Sequence, residues 1–185
     1  MKLFTFVRKI KNSKMPKHFL FFLILYGLTY TSLDAQSPCS SEAHQQFDFW
    51  VGDWVVYHAV ADTIVGHNKI ERILNGCVVQ ENWTGATGFK GKSFNTYSSI
   101  DSTWNQVWVD VSGATYHFKG KLIEEAMVMK GTTQNNGKAI LFEMSYTPDK
   151  NTGYVRQLWK QSSNKGDTWA VIFDGIYKKQ TNDKK

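Results

Sequence analysis

Three segments of the chain repeat one short order, an amide or carboxylate, any residue, then a tryptophan: Glu81-Asn82-Trp83, Gln106-Val107-Trp108 and Gln157-Leu158-Trp159. Side chains alternate between faces along an extended strand, so the first and third members of each triplet share a side. The indole offers a stacking surface and its neighbour offers directed hydrogen bonds. Such a combination suits a pocket for a small ligand with both apolar and polar parts. Asn95, Tyr97 and Asp110 fall on matching faces, and Arg72 falls near Glu81, which completes the candidate ligand-binding set. The same residues also admit a plainer reading, in which Trp and Gln pair with each other and with buried waters to fill a solid core.

A second chemistry involves His58, which shares parity with Trp54 and Val56 and is therefore expected to face the interior near Glu81. A histidine and a carboxylate in one cavity can do acid–base work, as in a hydrolase or isomerase, or the histidine can hold a haem iron. His58 and Glu81 are weak catalytic candidates, because no Gly-x-Ser-x-Gly elbow or other nucleophile motif accompanies them. The Gly85 to Gly91 stretch lacks the Lys-Ser/Thr ending of a phosphate loop and precedes a strand, which argues against nucleotide binding. Two Cys and five scattered His show no zinc-ligand spacing. No cofactor and no metal are expected.

The elements that must position these residues are strands. Runs of six to ten residues rich in Val, Ile, Thr and aromatics alternate with turn residues, and the pattern predicts strands near 53–60, 67–74, 77–84, 93–100, 104–111, 115–122, 125–132, 138–147, 154–161 and 168–178. About ten short strands joined by tight turns predict an all-β, up-and-down antiparallel barrel. Asn75-Gly76 is the clearest hairpin signal, and Asn136-Gly137 and Asp149 to Gly153 are turns of similar kind. Gly85 to Gly91 reads as a longer loop at the rim. Ser40 to Gln46, following Pro38, predicts a short helix capped by Ser40 or Ser41. In Phe47-Asp48-Phe49-Trp50-Val51-Gly52-Asp53-Trp54 the Gly allows a tight turn and the indole of Trp54 plugs the end of the barrel.

Charged residues assign the faces, since a Lys pointing into a small barrel is disfavoured. Arg156 and Lys160 outward put Gln157 and Trp159 inward; Lys119 and Lys121 take His117 outward and leave Tyr116, Phe118 and Leu122 inside. Lys130 sends Met127 and Met129 in, and Lys92 places Asn95 and Tyr97 on the inner face. The Asn75-Gly76 turn pairs Leu74 with Cys77, so Ile70, Arg72 and Leu74 share a face with Cys77, Val79, Glu81 and Trp83. Arg72 then lies opposite Val79 and diagonal to Glu81, which suggests an inward Arg72–Glu81 pair. The alternative is an outward face carrying an ordinary surface pair.

The first 35 residues carry a basic stretch, an apolar run from Phe19 to Tyr30 and a small-residue exit at Ala35-Gln36, the order of a cleavable secretory signal. A start at Met15 would give a signal of more ordinary length. The apolar run is shorter than the roughly 20 residues a membrane span needs. Without this segment the 22 Lys and Arg fall to 16 and the 16 Asp and Glu to 15, so no electrostatic footprint for nucleic acid or acidic membranes remains. The expected division is a signal at 1–35, a segment with a short helix at 36–46, a barrel at 47–178 and a basic solvated tail at 179–185. Export to the periplasm or medium makes a Cys39–Cys77 disulfide the natural inference, tying the N-terminal segment to the barrel; two unpaired thiols are the alternative.

Phe47 to Trp54, Asn75-Gly76-Cys77, Glu81-Asn82-Trp83, Ser93-Phe94-Asn95-Thr96-Tyr97, Trp104 to Asp110, Arg156-Gln157-Leu158-Trp159 and Thr168-Trp169 together resemble a family of bacterial secreted domains of unknown function related to the lipocalin and calycin group. The resemblance implies a calycin-like barrel, with no ligand or reaction to carry over. Ten strands are also similar to the nitrobindin-like haem barrels of that broad group. No position matches their proximal His, since His117 reads as outward and His58 sits in a different strand. The functional expectation is an exported barrel holding a small amphipathic, sugar-like or aromatic ligand, with no nucleic-acid partner and no stable membrane insertion after cleavage. The alternatives are a cavity enzyme using His58 and Glu81, and a filled barrel that works through its surface.

Overall fold

Ten antiparallel strands close into a single barrel in which each strand pairs with the next and the last returns to the first. A computed structural model describes residues 38–180, so the signal expected at 1–35 and the end of the tail at 181–185 lie outside the described residues. The strands are β1 (Gly52–His58), β2 (Ile64–Ile73), β3 (Val78–Gly85), β4 (Lys90–Ser98), β5 (Thr103–Asp110), β6 (Thr115–Ile123), β7 (Ala126–Asn135), β8 (Lys138–Pro148), β9 (Val155–Ser162) and β10 (Ala170–Lys179). A four-residue helix α1 (Glu42–Gln45) and a 3-10 turn (Asp48–Trp50) precede them. Ser41 is the N-cap residue, but its hydroxyl bonds the His44 ring at 2.7 Å rather than a backbone N–H.

Alternation holds along the strands as the charged residues require. Met127 and Met129 are fully buried, Phe118 is buried between exposed His117 and Lys119, and Arg156 meets Asp174 on the outside through two hydrogen bonds. At the β2–β3 hairpin, Ile73 pairs with Val78, Arg72 with Val79 and Ile70 with Glu81, the register that the Asn75-Gly76 turn dictates. Leu74, Asn75 and Gly76 all take positive φ, so an exposed leucine is held in a conformation that suits glycine or asparagine. Asn136 and Gly137 do the same between β7 and β8.

The odd-to-even turns and the even-to-odd turns lie at opposite ends of the barrel. At the end where β1 begins, the N-terminal segment folds in as a plug. Phe47 stacks on Trp50 with ring centroids 4.9 Å apart and meets Trp104 and Tyr146 edge-on at 5.6 and 5.0 Å. Trp54, as its Gly-x-Trp setting predicts, is buried there, and its Nε1 donates to Trp50 O at 2.8 Å. Cys39 is bonded to Cys77 with a Cα separation of 5.0 Å, which fastens the plug to the β2–β3 hairpin.

Three sequence expectations change here. Arg72 does not pair with Glu81: its guanidinium reaches the plug and the hairpin turn, donating to Asp48, to His44 O and to Gly76 O. Arg72 lies on the face that alternation predicts, but the plug brings a carboxylate and backbone carbonyls to the barrel end that the strand pattern alone does not supply. The Gly85 to Gly91 loop is shorter than expected, because β3 runs to Gly85, β4 resumes at Lys90, and Gly85 N donates to Phe89 O at 2.7 Å. Lys179 belongs to β10 rather than a solvated tail; its Nζ lies 3.9 Å from the Trp54 ring centroid and donates to Val51 O at 2.6 Å. Lys178 likewise pairs with Asp62 at 3.1 Å and lies over the Tyr57 ring.

Candidate functional site

The interior is packed in one half and hollow in the other. Tyr116, Phe118 and Phe142 from β6 and β8 gather around Trp159, each with its ring centroid 5.6 to 5.8 Å from the indole's. Beyond Trp159 a cavity of about 350 Å³ opens, walled by Trp83, Trp108 and Trp159 together with Phe89 and Phe173, and floored by Glu81, Gln106, Gln157, Tyr146 and Tyr177. Glu81 is 3% exposed, whereas Phe89 and Ile172 at the other end of the lining are 43% and 42% exposed. The cavity is therefore a cup whose bottom is sealed and whose mouth meets solvent.

All three Glu/Gln-x-Trp triplets converge on this space, six residues from three strands that are not mutual neighbours in sequence. Two of the indoles lie close against glycines. A Cβ built on Gly91 would come within 2.2 Å of the Trp108 ring, and one on Gly66 within 2.6 Å of Trp83. These contacts lie far below the van der Waals limit, so the side chain missing at each glycine is what seats each indole against its neighbouring strand.

The floor is a continuous hydrogen-bond network. Gln106 Nε2 donates to Asn95 Oδ1 at 2.7 Å, Asn95 Nδ2 to Ser93 Oγ at 3.0 Å, and Ser93 Oγ to Glu81 Oε2 at 2.7 Å. Asn68 Nδ2 donates to Glu81 Oε1 at 2.7 Å and to Tyr177 OH at 3.2 Å. Gln106 Nε2 and Gln157 Nε2 both reach Tyr146 OH, at 3.1 and 3.3 Å, and Tyr177 OH donates to Gln157 Oε1. Asn68 Oδ1, Gln106 Oε1 and Trp159 Nε1 are buried without a protein partner.

Among the described residues no cation lies against Glu81, and burial pushes its carboxyl up to about 7 although the Ser93 and Asn68 hydrogen bonds pull the other way. Burial, reinforced by the Glu81 charge, also raises Tyr146 and Tyr177 well above the ordinary phenol value, so both remain neutral donors and acceptors. The site can thus hold a single proton whose residence changes near neutral pH. No group of three or more His, Cys, Asp or Glu placed to hold a metal occurs among the described residues.

The remaining sequence candidates lie elsewhere. Asn95 is fully buried beneath the cavity and fixes Gln106, and besides Ser93 Oγ its Nδ2 donates to Val79 O at 2.9 Å. Tyr97 belongs to the closed end, edge-on to His44 and beside Trp104. Asp110 caps the β5–β6 turn, accepting from Ser112 N at 2.8 Å. His58 is exposed and its Nδ1 accepts from Val60 N and Ala61 N at 3.2 and 3.1 Å, so the ring serves the β1–β2 turn and not the lumen. The expected His58–Glu81 partnership is absent, since the side-chain partners of Glu81 are Asn68 and Ser93.

Alternation extended to every strand would have found Asn68, Ser93, Met144, Tyr146 and Tyr177, which share faces with Ile70, Asn95 and Gly175. Val65 and Ile172 could not be found that way. Each is the extra residue of a β-bulge, where Val56 faces Gly66 but Tyr57 faces Ile64, and Val171 faces Lys160 but Phe173 faces Trp159. A bulge breaks the period of two and turns an outward residue toward the mouth.

No protein-family model and no curated protein matches this chain.

Proposed function

We propose that this protein is an exported barrel that binds a small, flat, amphipathic molecule in the cup between Trp83, Trp108 and Trp159. The observation that carries the reading is a solvent-open cavity with aromatic walls and a polar, hydrogen-bonded floor, of a size within the roughly 300–1,000 Å³ typical of ligand pockets. A fatty chain would meet unmatched amides and a carboxyl at the bottom, and a filled barrel would have no void. Export is supported by the cleavable-signal order of residues 1–35 and by the Cys39–Cys77 bond, which persists in oxidising compartments. Among the described residues no helix is long and apolar enough to cross a membrane. The resemblance to secreted calycin-type domains agrees with this reading. The enzyme alternative lacks the histidine it was built on.

The test is tryptophan emission during titration with a panel of aromatic metabolites and aryl glycosides. A saturable quench or shift is expected in the wild type and its loss in Trp108→Ala/Gln157→Ala, with the fold retained by circular dichroism. No saturable response across the panel, with both substitutions strongly destabilising, would mean a packed interior and sink the proposal.

A further inference from the structure

The hydrogen-bonding groups of the cavity floor are out of balance, and the imbalance has a direction. Along β5, β4 and β3 a relay of donors runs one way, from Gln106 to Asn95, from Asn95 to Ser93 and from Ser93 to Glu81, with Gln106 also reaching Tyr146 OH, while Asn68 on β2 donates to the other Glu81 oxygen. Those donors are all engaged. A carboxylate has about four lone-pair sites and Glu81 receives two side-chain bonds. Gln106, 1% exposed, has its carbonyl oxygen unpartnered. Among the buried groups on these strands acceptors are left over and donors are not; the buried lining donor without a protein partner, Trp159 Nε1, lies on β9.

Among the described residues no Lys, Arg or His lines the cavity. The cation on the same face of β2, Arg72, is engaged at the closed end with Asp48 and His44 O. The missing partner must therefore be brought by the ligand. An acidic group and a bare amide oxygen lining one cavity match a ligand edge that carries N–H donors, and charge strengthens such bonds. Indole faces favour a positively charged planar group beside them.

We propose that the cup takes a flat nitrogen cation, an aryl amidine or a protonated amino-heteroarene, with its N–H edge on Glu81 and Gln106 Oε1 and its ring against Trp83, Trp108 and Trp159. This rests on the reading of the barrel as a ligand-binding cup and adds the charge and edge chemistry of the ligand. When Glu81 is protonated beforehand, its proton leaves to solvent as the cation binds.

Benzamidine, benzamide and benzoate, three probes with one ring and different charge, separate the possibilities when titrated against tryptophan emission at pH 7.5. Benzamidine is expected to bind at least tenfold more tightly than benzamide, and benzoate not to saturate. Benzamidine affinity should also rise about tenfold between pH 5.5 and 8.5 as Glu81 ionises. The other titratable groups facing that floor are Tyr146 and Tyr177, which stay neutral throughout, and the β2 and β4 neighbours Asn68, Ile70 and Ser93 do not titrate on their side chains. Glu81→Gln should lose at least tenfold in benzamidine affinity with its fold checked by melting; should it not fold, Gln106→Leu should lose several-fold. Equal affinity for the three probes, a preference for benzoate, or a flat pH profile would overturn the proposal. Indole and phenyl β-glucoside titrated in parallel distinguish the two levels: binding of these without benzamidine removes the cation and leaves the cup, and binding of none removes both.

Discussion

The two ends of this barrel use the same residue types for opposite purposes. At the closed end Phe47, Trp50, Trp54 and Trp104 are all 1% exposed or less and pack ring against ring, held by a disulfide and by the three bonds of Arg72. At the open end Trp83, Trp108 and Trp159 are only partly buried and face a void, and Phe89 and Ile172 reach solvent. Among the described residues the closed end has a segment of chain to cover it and the open end has none. Aromatic side chains thus make a core where another part of the protein covers them and a wall where nothing does, so residue type alone does not tell core from site.

That comparison can be broken most directly with one substitution at each end. Trp50→Ala should cost roughly 3–5 kcal/mol, the range for truncating a fully buried large aromatic. Trp108→Ala should cost less than about 1.5 kcal/mol, since one face of the indole already borders space. Chemical denaturation measures both; equal costs would mean the open end is packed core. Reducing the Cys39–Cys77 bond, which closes a 38-residue separation, should lower stability by about 3 kcal/mol through the unfolded chain and leave the cavity's ligand response in place below the new melting point.

The next effect belongs to the open end alone. Folded Glu81 holds its proton up to about pH 7, whereas the unfolded carboxyl releases it near the ordinary value of 4.5. Between those values the native state binds more protons, so stability is greatest below the lower one, falls as pH rises to about 7, and is level above it. The fall should be no more than about 3 kcal/mol, and Glu81→Gln should flatten it. A wild type whose melting temperature rises from pH 5 to pH 7.5, in step with the variant, would contradict the assignment. A further substitution sharpens the role of the glycine seats: Gly91→Ala should cost about 1 kcal/mol by forcing Trp108 off its strand. Its clearer readout is a shifted emission maximum and weaker ligand response, against no such change for Ala at an equally buried wall position.

How much of this was legible in the sequence differs between the same two regions. Strand number, inner and outer faces, the register of the β2–β3 hairpin and the Cys39–Cys77 bond follow from local rules of alternation, turn chemistry and cysteine pairing, and those rules hold wherever a strand is regular. The site departs from them where regularity stops. Val65 and Ile172 reach the mouth because bulges change parity, and His58 leaves the lumen because the adjoining turn offers it two N–H groups. Arg72 finds Asp48, 24 residues away, because the plug folds back over the strand ends. Gly66 and Gly91 read as gaps in their strands, and only the ring of a neighbouring strand gives each its purpose.

The closure of the sheet sets a schedule as well as a shape. The seam that completes it joins Trp54 to Lys179 and Val56 to Tyr177, near opposite limits of the described chain. Contacts so distant in sequence form late, because the long loop between them must be closed before they contribute. Until β10 arrives, β1 and β9 are both bare margins, with backbone groups that any passing strand could satisfy. A nascent chain stalled before Ala170 would therefore carry nearly the whole barrel and lack what keeps it from joining its neighbours.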